Sequence, residues 1–492
     1  MNKSRAVVIG SGLGGLSAAI SLASLGWKVT IVEKNDKPGG KLNTLTKDGF
    51  TFDLGPSLLI MPHLFRALFS KAGKALEHYL ELKTLTVQWR NFFPDQVVLD
   101  FMHEARLTAH NLEQLSSTAP NEFLSFLNYA GLQSISARRL YFHKGTDRLR
   151  DVLFRMHPFD LQLDLLHSMH SSVSRLVKEP HTRNMLDYFC KYVGSSPDRA
   201  PGYFNMLPSL QLDYGVHYVK GGMYNIARAL QTLLDDLGVE LETGWEAADL
   251  ISSSSKHITG VVSTTGRKLD CDLLVSNMEA VPFYAKVAGL PREARNLEKR
   301  FPPSCSGLVI HLGVKKVYPQ LAHHNIFHSA TPHRQFRAVF EQFSLPDDPS
   351  LYVVAPVRTD PTLAPGGCDI IKILPQVPHL ARMRTYSPHD MNSLRATVIR
   401  KLESMGLEKL QENIISEVTL TPYDLRNMYF SNRGSIYGAV SDRWINMGFK
   451  APQKGSVFSN LFFVGGSVNP GGGMPMVILG GMQVADRIGF PR

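Results

Sequence analysis

Ala6-Val7-Val8-Ile9-Gly10-Ser11-Gly12-Leu13-Gly14-Gly15 decides the fold of this chain. The four apolar residues read as a strand buried on both faces, and the glycine run opens an Ala- and Leu-rich helix that runs towards Leu25 and stops at Gly26. A second strand, Lys28 to Val32, ends at Glu33, at about the twenty-residue offset of a carboxylate that binds a ribose hydroxyl. Gly10 permits the tight turn, Gly12 lets the backbone approach a pyrophosphate, and Gly15 lets helix and strand pack closely, while the free N–H groups of the helix start face the anion. A glycine cluster alone is a common turn; strand, turn, helix and Glu33 together predict a dinucleotide site. No second fingerprint occurs, so no separate NAD(P) site is expected and one bound cofactor must cycle.

The 492 residues suffice for two or more lobes. At 43% hydrophobic and 20% charged, with no run of eighteen apolar residues, the chain predicts neither disorder nor a membrane-spanning helix. The formal net charge of +10 suits acidic lipid headgroups or nucleic acid. No nucleic-acid-binding signature accompanies it and the aromatics are not interleaved with Lys and Arg, so no nucleic acid partner is expected. Cys190, Cys271, Cys305 and Cys368 are widely spaced, which argues against zinc, iron–sulfur and thioredoxin-like chemistry; no metal is expected, and the cysteines are expected to be reduced and structural. The first apolar run breaks at once into glycines that the fold needs, so no signal peptide is expected and a cytoplasmic location is.

Between Val216 and Asn277 a further unit reads as Gly221-Gly222-Met223 before an Ala/Leu helix, a strand at Val239 to Glu242, a hairpin, and a buried strand at Cys271 to Ser276. It completes the nucleotide domain, which is therefore discontinuous. Ser136 to Leu176 mixes Phe, Leu and Met with Arg138, Arg139, Lys144, Arg148, Arg150, Arg155 and Arg175, a pattern that fits either helices lying in a lipid headgroup layer or a solvated helical face. His157-Pro158 and Glu179-Pro180 mark helix breaks there.

Pro38-Gly39-Gly40-Lys41, with the distant Leu461-Phe462-Phe463-Val464-Gly465-Gly466-Ser467, resembles the FAD fold of amine oxidases and phytoene desaturases. The resemblance implies that FAD is bound by Gly10, Gly12, Gly14, Gly15 and Glu33. It also implies that the Gly39-Gly40 turn and Lys41 contact phosphates and ribityl, and that the backbone at Ala247, in Trp245-Glu246-Ala247, meets adenine. Lys41 stands where those enzymes often have Arg, and Gly466 where they often have Asp. The same resemblance implies that the C-terminal glycine-rich segment with Gly465 and Gly466, and its helix, close over the flavin ring. Phe50-Thr51-Phe52-Asp53-Leu54-Gly55-Pro56-Ser57 with Met61-Pro62, and Asn469-Pro470-Gly471-Gly472-Gly473-Met474-Pro475, resemble the paired signatures of phytoene-desaturase-type enzymes, which adds Gly55, Pro56, Ser57, Gly473, Met474 and Pro475 to the implied cofactor residues.

Four narrower stretches, Gln88 to Phe93, Lys191 to Ser196, Ser276 to Glu279 and Tyr318 to Asn325, resemble the bacterial diapolycopene and diaponeurosporene terminal oxygenases. That resemblance implies oxidation of the terminal methyl of an acyclic thirty-carbon carotenoid to an aldehyde, with desaturation of a carotenoid as the alternative, an apolar tunnel for the substrate, and residence on the inner face of the cell membrane. Hydride removal from an allylic carbon leaves a cation spread over the polyene, so the protein need only align and desolvate. His323, His324 and Glu279 are the candidate catalytic side chains, each with a plain alternative as hydrogen-bonder or helix cap. The expected architecture is α/β: a discontinuous Rossmann-like FAD-binding domain (1–100, 205–300 and 455–492), a helical membrane-facing lobe (101–204) and a mixed-sheet substrate domain (301–454).

Overall fold

The computed structural model describes residues 4–142, 145–147, 149–253, 256–381 and 385–491; Lys144 and Arg148 lie outside them. A five-stranded parallel sheet runs in the order Leu461–Phe463, Leu273–Ser276, Arg5–Ile9, Lys28–Val32, Glu240–Glu242. Its central strands are Val- and Ile-rich because both faces are covered. The helix Leu13–Ser24 follows the glycine run, and Gly26, at φ +93°, takes the chain out of it. The helix Asn225–Asp236 buries Ile226, Ala227, Ala229, Leu230, Leu233 and Leu234, the stripe that a helical period requires. The last helix, Met474–Ile488, lies on Leu13–Ser24 so closely that a Cβ on Gly481 would come within 2.6 Å of the Ser17 Cβ, and the Ser17 hydroxyl donates to the Ile478 carbonyl at 2.6 Å. Start, middle and end of the chain thus build one sheet.

The second large sheet has eight strands, ordered Ile414–Leu420, Val309–Val314, Asp369–Val377, Leu351–Val354, His324–Phe327, Val87–Phe92, Val98–Met102, with Ser306–Gly307 also paired to Asp369–Val377. It is mixed: Asn325 to Phe327 pair in parallel with Arg90 to Phe92, whereas the other pairings are antiparallel. The sequence-based boundary at residue 100 therefore misplaces 87–100, which belong with the 301–454 strands. A short alternating strand carries no mark of which sheet it will join, and this pairing spans more than two hundred residues.

Residues 105–187 supply the helical lobe, including Ala105–Leu112, Ala119–Ala137, Met169–Leu176 and Pro180–Asp187. The described residues within Ser136 to Leu176 form several short helices. Pro158 and Pro180 each sit in the first turn of a helix, where the missing N–H would have no partner anyway, and Glu179 caps His181 and Thr182 N–H. The lobe core is aromatic: Trp89 packs on Phe189 with ring centroids 4.3 Å apart, and Phe101 and Phe123 meet edge to face. Among the described residues no helix is long and apolar enough to cross a membrane. Cys190, Cys271 and Cys305 are buried, and none of the four cysteines is in a disulfide.

His311, His323 and His328 are buried, and burial pushes each down to about 3. Below pH 6.5 the unfolded chain takes up protons that these folded sites refuse, so each histidine withdraws about 1.4 kcal/mol of stability per pH unit as pH falls towards the folded values. Thermal unfolding followed by circular dichroism is expected to show the midpoint falling through this window, with a shallower fall in a His328→Asn variant.

Candidate active site

The glycine turn lies at the carboxyl ends of three adjacent parallel strands, Arg5–Ile9, Lys28–Val32 and Leu273–Ser276, the position at which open α/β sheets bind ligands. Gly10 N–H donates to the Val32 carbonyl at 2.8 Å, and Gly39 N–H donates to the Ser11 carbonyl at 2.9 Å, which draws the Gly39-Gly40 turn against the first one. Space here is too tight for side chains. A Cβ on Gly15 would stand 2.1 Å from the Gly10 carbonyl oxygen, one on Gly14 2.8 Å from the Gly465 nitrogen, and one on Gly55 1.8 Å from the Lys41 carbonyl oxygen. The buried Glu33 carboxylate accepts from Ser11 N–H and hydroxyl, both at 2.8 Å, and from Asn35.

These segments enclose one end of a cavity of about 460 Å³. Its walls include Gly10, Gly12, Gly14, Glu33, Gly39, Gly40 and Lys41, then Gly55, Pro56 and Ser57, then Ala247, then Gly465, Gly466, Gly473, Met474 and Pro475. Of the cofactor residues named from sequence, only Gly15 is set back from the cavity, in the helix–strand contact. The bare backbone cradle, the helix start with orphan N–H groups and the acidic side chain at the strand end fit the phosphates and a ribose of FAD. Lys41 does not simply face into the space: its ammonium is held by Glu279 at 3.2 Å and by the Ser435 and Ile436 carbonyls at 3.1 and 3.0 Å.

The other end is apolar, lined by Tyr141, Phe142, Tyr203, Phe204, Met206, Leu207, Leu210 and Leu374. Glu279 lines the cavity as a carboxylate paired with Lys41 and accepting from Asn432 N–H at 2.9 Å, and its side chain does not cap the helix that follows it. His323 and His324 do not line the cavity. His324 accepts from or donates to the Tyr352 hydroxyl at 3.0 Å through Nδ1, His323 meets Thr359 Oγ1 at 2.7 Å, and Tyr352 stands between His324 and the space. Outside the cavity, His170, Asp198 and His333 bring metal-ligand-type atoms within 4.8 Å of one another, a cluster that cysteine spacing gives no hint of.

Sequence reasoning passes over Asn277, whose Oδ1 accepts from Gly15 N–H at 3.0 Å and whose side chain lies against Gly12 and Gly14. It also passes over Lys372, buried on the strand Asp369–Val377, whose ammonium donates to the Asp53 carbonyl and Ser57 hydroxyl at 2.9 Å and to the Gly55 carbonyl. Burial pushes Lys372 down to about 8. A single lysine inside Ile370-Ile371-Lys372-Ile373-Leu374 is the signal that marks it.

Gly12→Val is expected to cost roughly tenfold or more in flavin affinity by overfilling the cradle, since its Cβ would already stand 2.5 Å from Asn277 Nδ2. Visible flavin absorbance per protein, read beside unchanged far-UV circular dichroism, checks it; full flavin retention counts against this cradle as the cofactor site.

Residues 13–489 match the flavin containing amine oxidoreductase family. The 4,4'-diapolycopene oxygenase of Methylomonas sp. is 49% identical over 98% of this chain and 98% of its own length. The 4,4'-diaponeurosporene oxygenase of Staphylococcus aureus is 42% identical over 98% of this chain and 97% of its own. Among solved structures, an oxidoreductase from Methanosarcina mazei superposes with a TM-score of 0.67 at 17% identity, covering 98% of this chain and all of that one. A putrescine oxidase bound to putrescine gives 0.65 at 13% identity over 99% of both chains. The glycine cradle, the acidic strand end and the tail helix are thus parts of one shared fold, and the chain belongs to the flavin containing amine oxidoreductases as an FAD-dependent oxidoreductase.

Proposed function

We propose that this chain oxidises the terminal methyl group of an acyclic thirty-carbon carotenoid to an aldehyde. The observation that carries the reading is a single cavity whose one end is a bare-backbone nucleotide cradle and whose other end is a greasy slot walled by Tyr, Phe, Leu and Met. A cationic amine would call for a carboxylate beside that apolar lining, where the charged side chains are Lys191 and Lys372; a polyene asks chiefly for shape and exclusion of water. The two relatives at 49% and 42% identity, each matched along nearly its whole length, support the carotenoid and the oxygenation.

FAD, when bound, would supply a two-electron oxidant; methyl to aldehyde is a four-electron oxidation, so it would act twice per oxidised end, with water or molecular oxygen as the source of the oxygen atom. Gly10, Gly12, Gly14, Gly39, Gly40 and Glu33 would hold its dinucleotide, Gly55 to Ser57 and Gly465, Gly466 and Gly473 to Pro475 its flavin half, and the Ala247 backbone its adenine. The residues of the chain then align one end of the polyene and keep bulk water from it. Glu279, positioned by Lys41, is the one proposed catalytic side chain that lines the cavity; His323 and His324 act through Tyr352 and Thr359 as positioning residues.

The site is reached, on this reading, from the inner surface of the cell membrane by a peripheral protein on its cytoplasmic side. Phe154, Leu161, Leu166 and Trp444 are 89%, 77%, 80% and 71% exposed. Arg443 donates to the Leu166 carbonyl and stacks on Trp444, and Arg150 and Arg155 are exposed nearby in sequence. Behind them, Val152 and Leu163 share a hydrophobic cluster with Tyr203, which lines the apolar end of the cavity. Exposed large apolar side chains fringed by arginine suit insertion into an anionic lipid surface.

Expression in a bacterium that makes acyclic thirty-carbon carotenoids is expected to yield pigments that gain one oxygen and lose two hydrogens per oxidised end by mass spectrometry. Loss of hydrogens without gain of oxygen makes the enzyme a desaturase. Replacing Phe154, Leu161, Leu166 and Trp444 together by Ser is expected to lower co-sedimentation with vesicles of anionic phospholipid roughly tenfold or more while flavin content stays constant; unchanged sedimentation counts against this face as the membrane contact.

A further inference from the structure

Five lysines line the cavity, and four have oxygen partners. Lys34 donates to the Asn427 carbonyl at 2.7 Å, Lys41 to Glu279 and two carbonyls, Lys372 to three oxygens, and Lys450 to the Ser441 hydroxyl at 2.8 Å and the Ala439 carbonyl. Lys191 differs. It is 7% exposed, and among the described residues its Nζ meets aromatic faces: 3.0 Å from the Tyr352 ring centroid, 4.8 Å from that of Trp89 and 5.6 Å from that of Tyr192. Burial pushes it well below the usual lysine range, against a weaker upward pull from Cys190. Charged or neutral, the amine keeps N–H groups to donate.

A second polar group in the same wall lacks a partner. Gln376 is 4% exposed, it lines the cavity, and among the described residues neither atom of its amide has a hydrogen-bond partner. Alternation along Asp369–Val377 puts Lys372, Leu374 and Gln376 on the cavity face, and Leu374 is registered opposite Tyr352, the ring under Lys191. Gln376 is therefore one strand repeat, about 7 Å along the strand, from Leu374, the residue opposite Tyr352. Two buried donors without acceptors are costly in an empty apolar wall and become useful when a ligand brings an oxygen.

We propose that Lys191 and Gln376 form the subsite for an oxygen-bearing end of the polyene, donating hydrogen bonds to its hydroxyl or carbonyl oxygen. The inference rests on the carotenoid reading above and adds to it a recognition of the oxidised end group. A hydrocarbon end offers these donors nothing, so the subsite discriminates between unoxidised and oxidised carotenoid and retains the latter.

The test uses the flavin-loaded full chain with two probes in detergent micelles: an acyclic thirty-carbon polyene hydrocarbon and the same polyene with one terminal aldehyde. The wild type is expected to bind the aldehyde more tightly than the hydrocarbon and to red-shift its visible absorption, because a donor on the carbonyl polarises the conjugated chain. Lys191→Met and Gln376→Leu are each expected to reduce aldehyde affinity roughly tenfold, with hydrocarbon affinity and flavin content unchanged, and to remove part of the red shift. Lys191→Gln, which keeps a donor, is expected to restore part of both. An aldehyde-to-hydrocarbon affinity ratio that is the same in wild type and in both variants overturns the subsite but leaves the carotenoid reading standing. A wild type that binds neither polyene overturns both. If Lys191→Met fails to fold, Gln376→Leu alone carries the decision.

Discussion

Backbone must touch backbone where the first and last segments of this chain meet. Gly14 lies so near Gly465 that no side chain fits between them, and Asn277, from a third segment, reaches over both and accepts the Gly15 N–H. The same intimacy continues along the two helices, where Gly481 rests on Ser17. Three distant pieces of sequence are thereby brought into backbone contact around a helix start whose N–H groups are bare, as a phosphate site requires. A nucleotide cradle built this way exists only when the whole parallel sheet is assembled, so cofactor binding and folding of the nucleotide domain depend on the same contacts.

The sheet that carries this cradle was legible because its signals are local. A buried Val/Ile run, a glycine turn and an alanine-rich helix follow one another within twenty-odd residues, and the structure reproduces Lys28–Val32 as read and the helix end before Gly26. The strand Val87–Phe92 was not legible in the same way, since its parallel partner Asn325 to Phe327 is remote and nothing in six alternating residues names a partner. The histidine pair shows the limit for site residues. His324 begins a strand and His323 precedes it, yet the cavity surface is taken by Tyr352 from the neighbouring strand, whose register sequence alone does not supply.

Lysines in a greasy cavity pose an electrostatic problem that the chain solves unequally. Lys372 is surrounded by the Asp53 and Gly55 carbonyls and the Ser57 hydroxyl, so its cost of burial is met by fixed dipoles that also bind the Phe50 to Ser57 segment to the mixed sheet. The Asp53 carboxylate in turn accepts from Met223 N–H at 2.8 Å and Tyr224 N–H at 3.3 Å, which ties that segment to the nucleotide domain. One lysine and one aspartate thus couple the two large sheets across the cavity. The lone charge in an apolar strand, which reads from sequence as a misfit, is a structural rivet.

The apolar part of the cavity wall follows from the same division of the molecule. In the lobe, the exposed Phe154, Leu161 and Leu166 are close in sequence to Val152 and Leu163, which belong to one buried cluster with Tyr203 and Phe449. Tyr203 and Tyr141 belong at once to that cluster and to the cavity wall, and Tyr141 packs against Phe449 with ring centroids 5.4 Å apart. Aromatic side chains thus form part of both the buried cluster and the cavity wall, and their rings turn more cheaply than backbone moves. Movement confined to such side chains leaves the backbone contacts of the glycine cradle undisturbed, so that one part of the cavity can be rigid while another adapts.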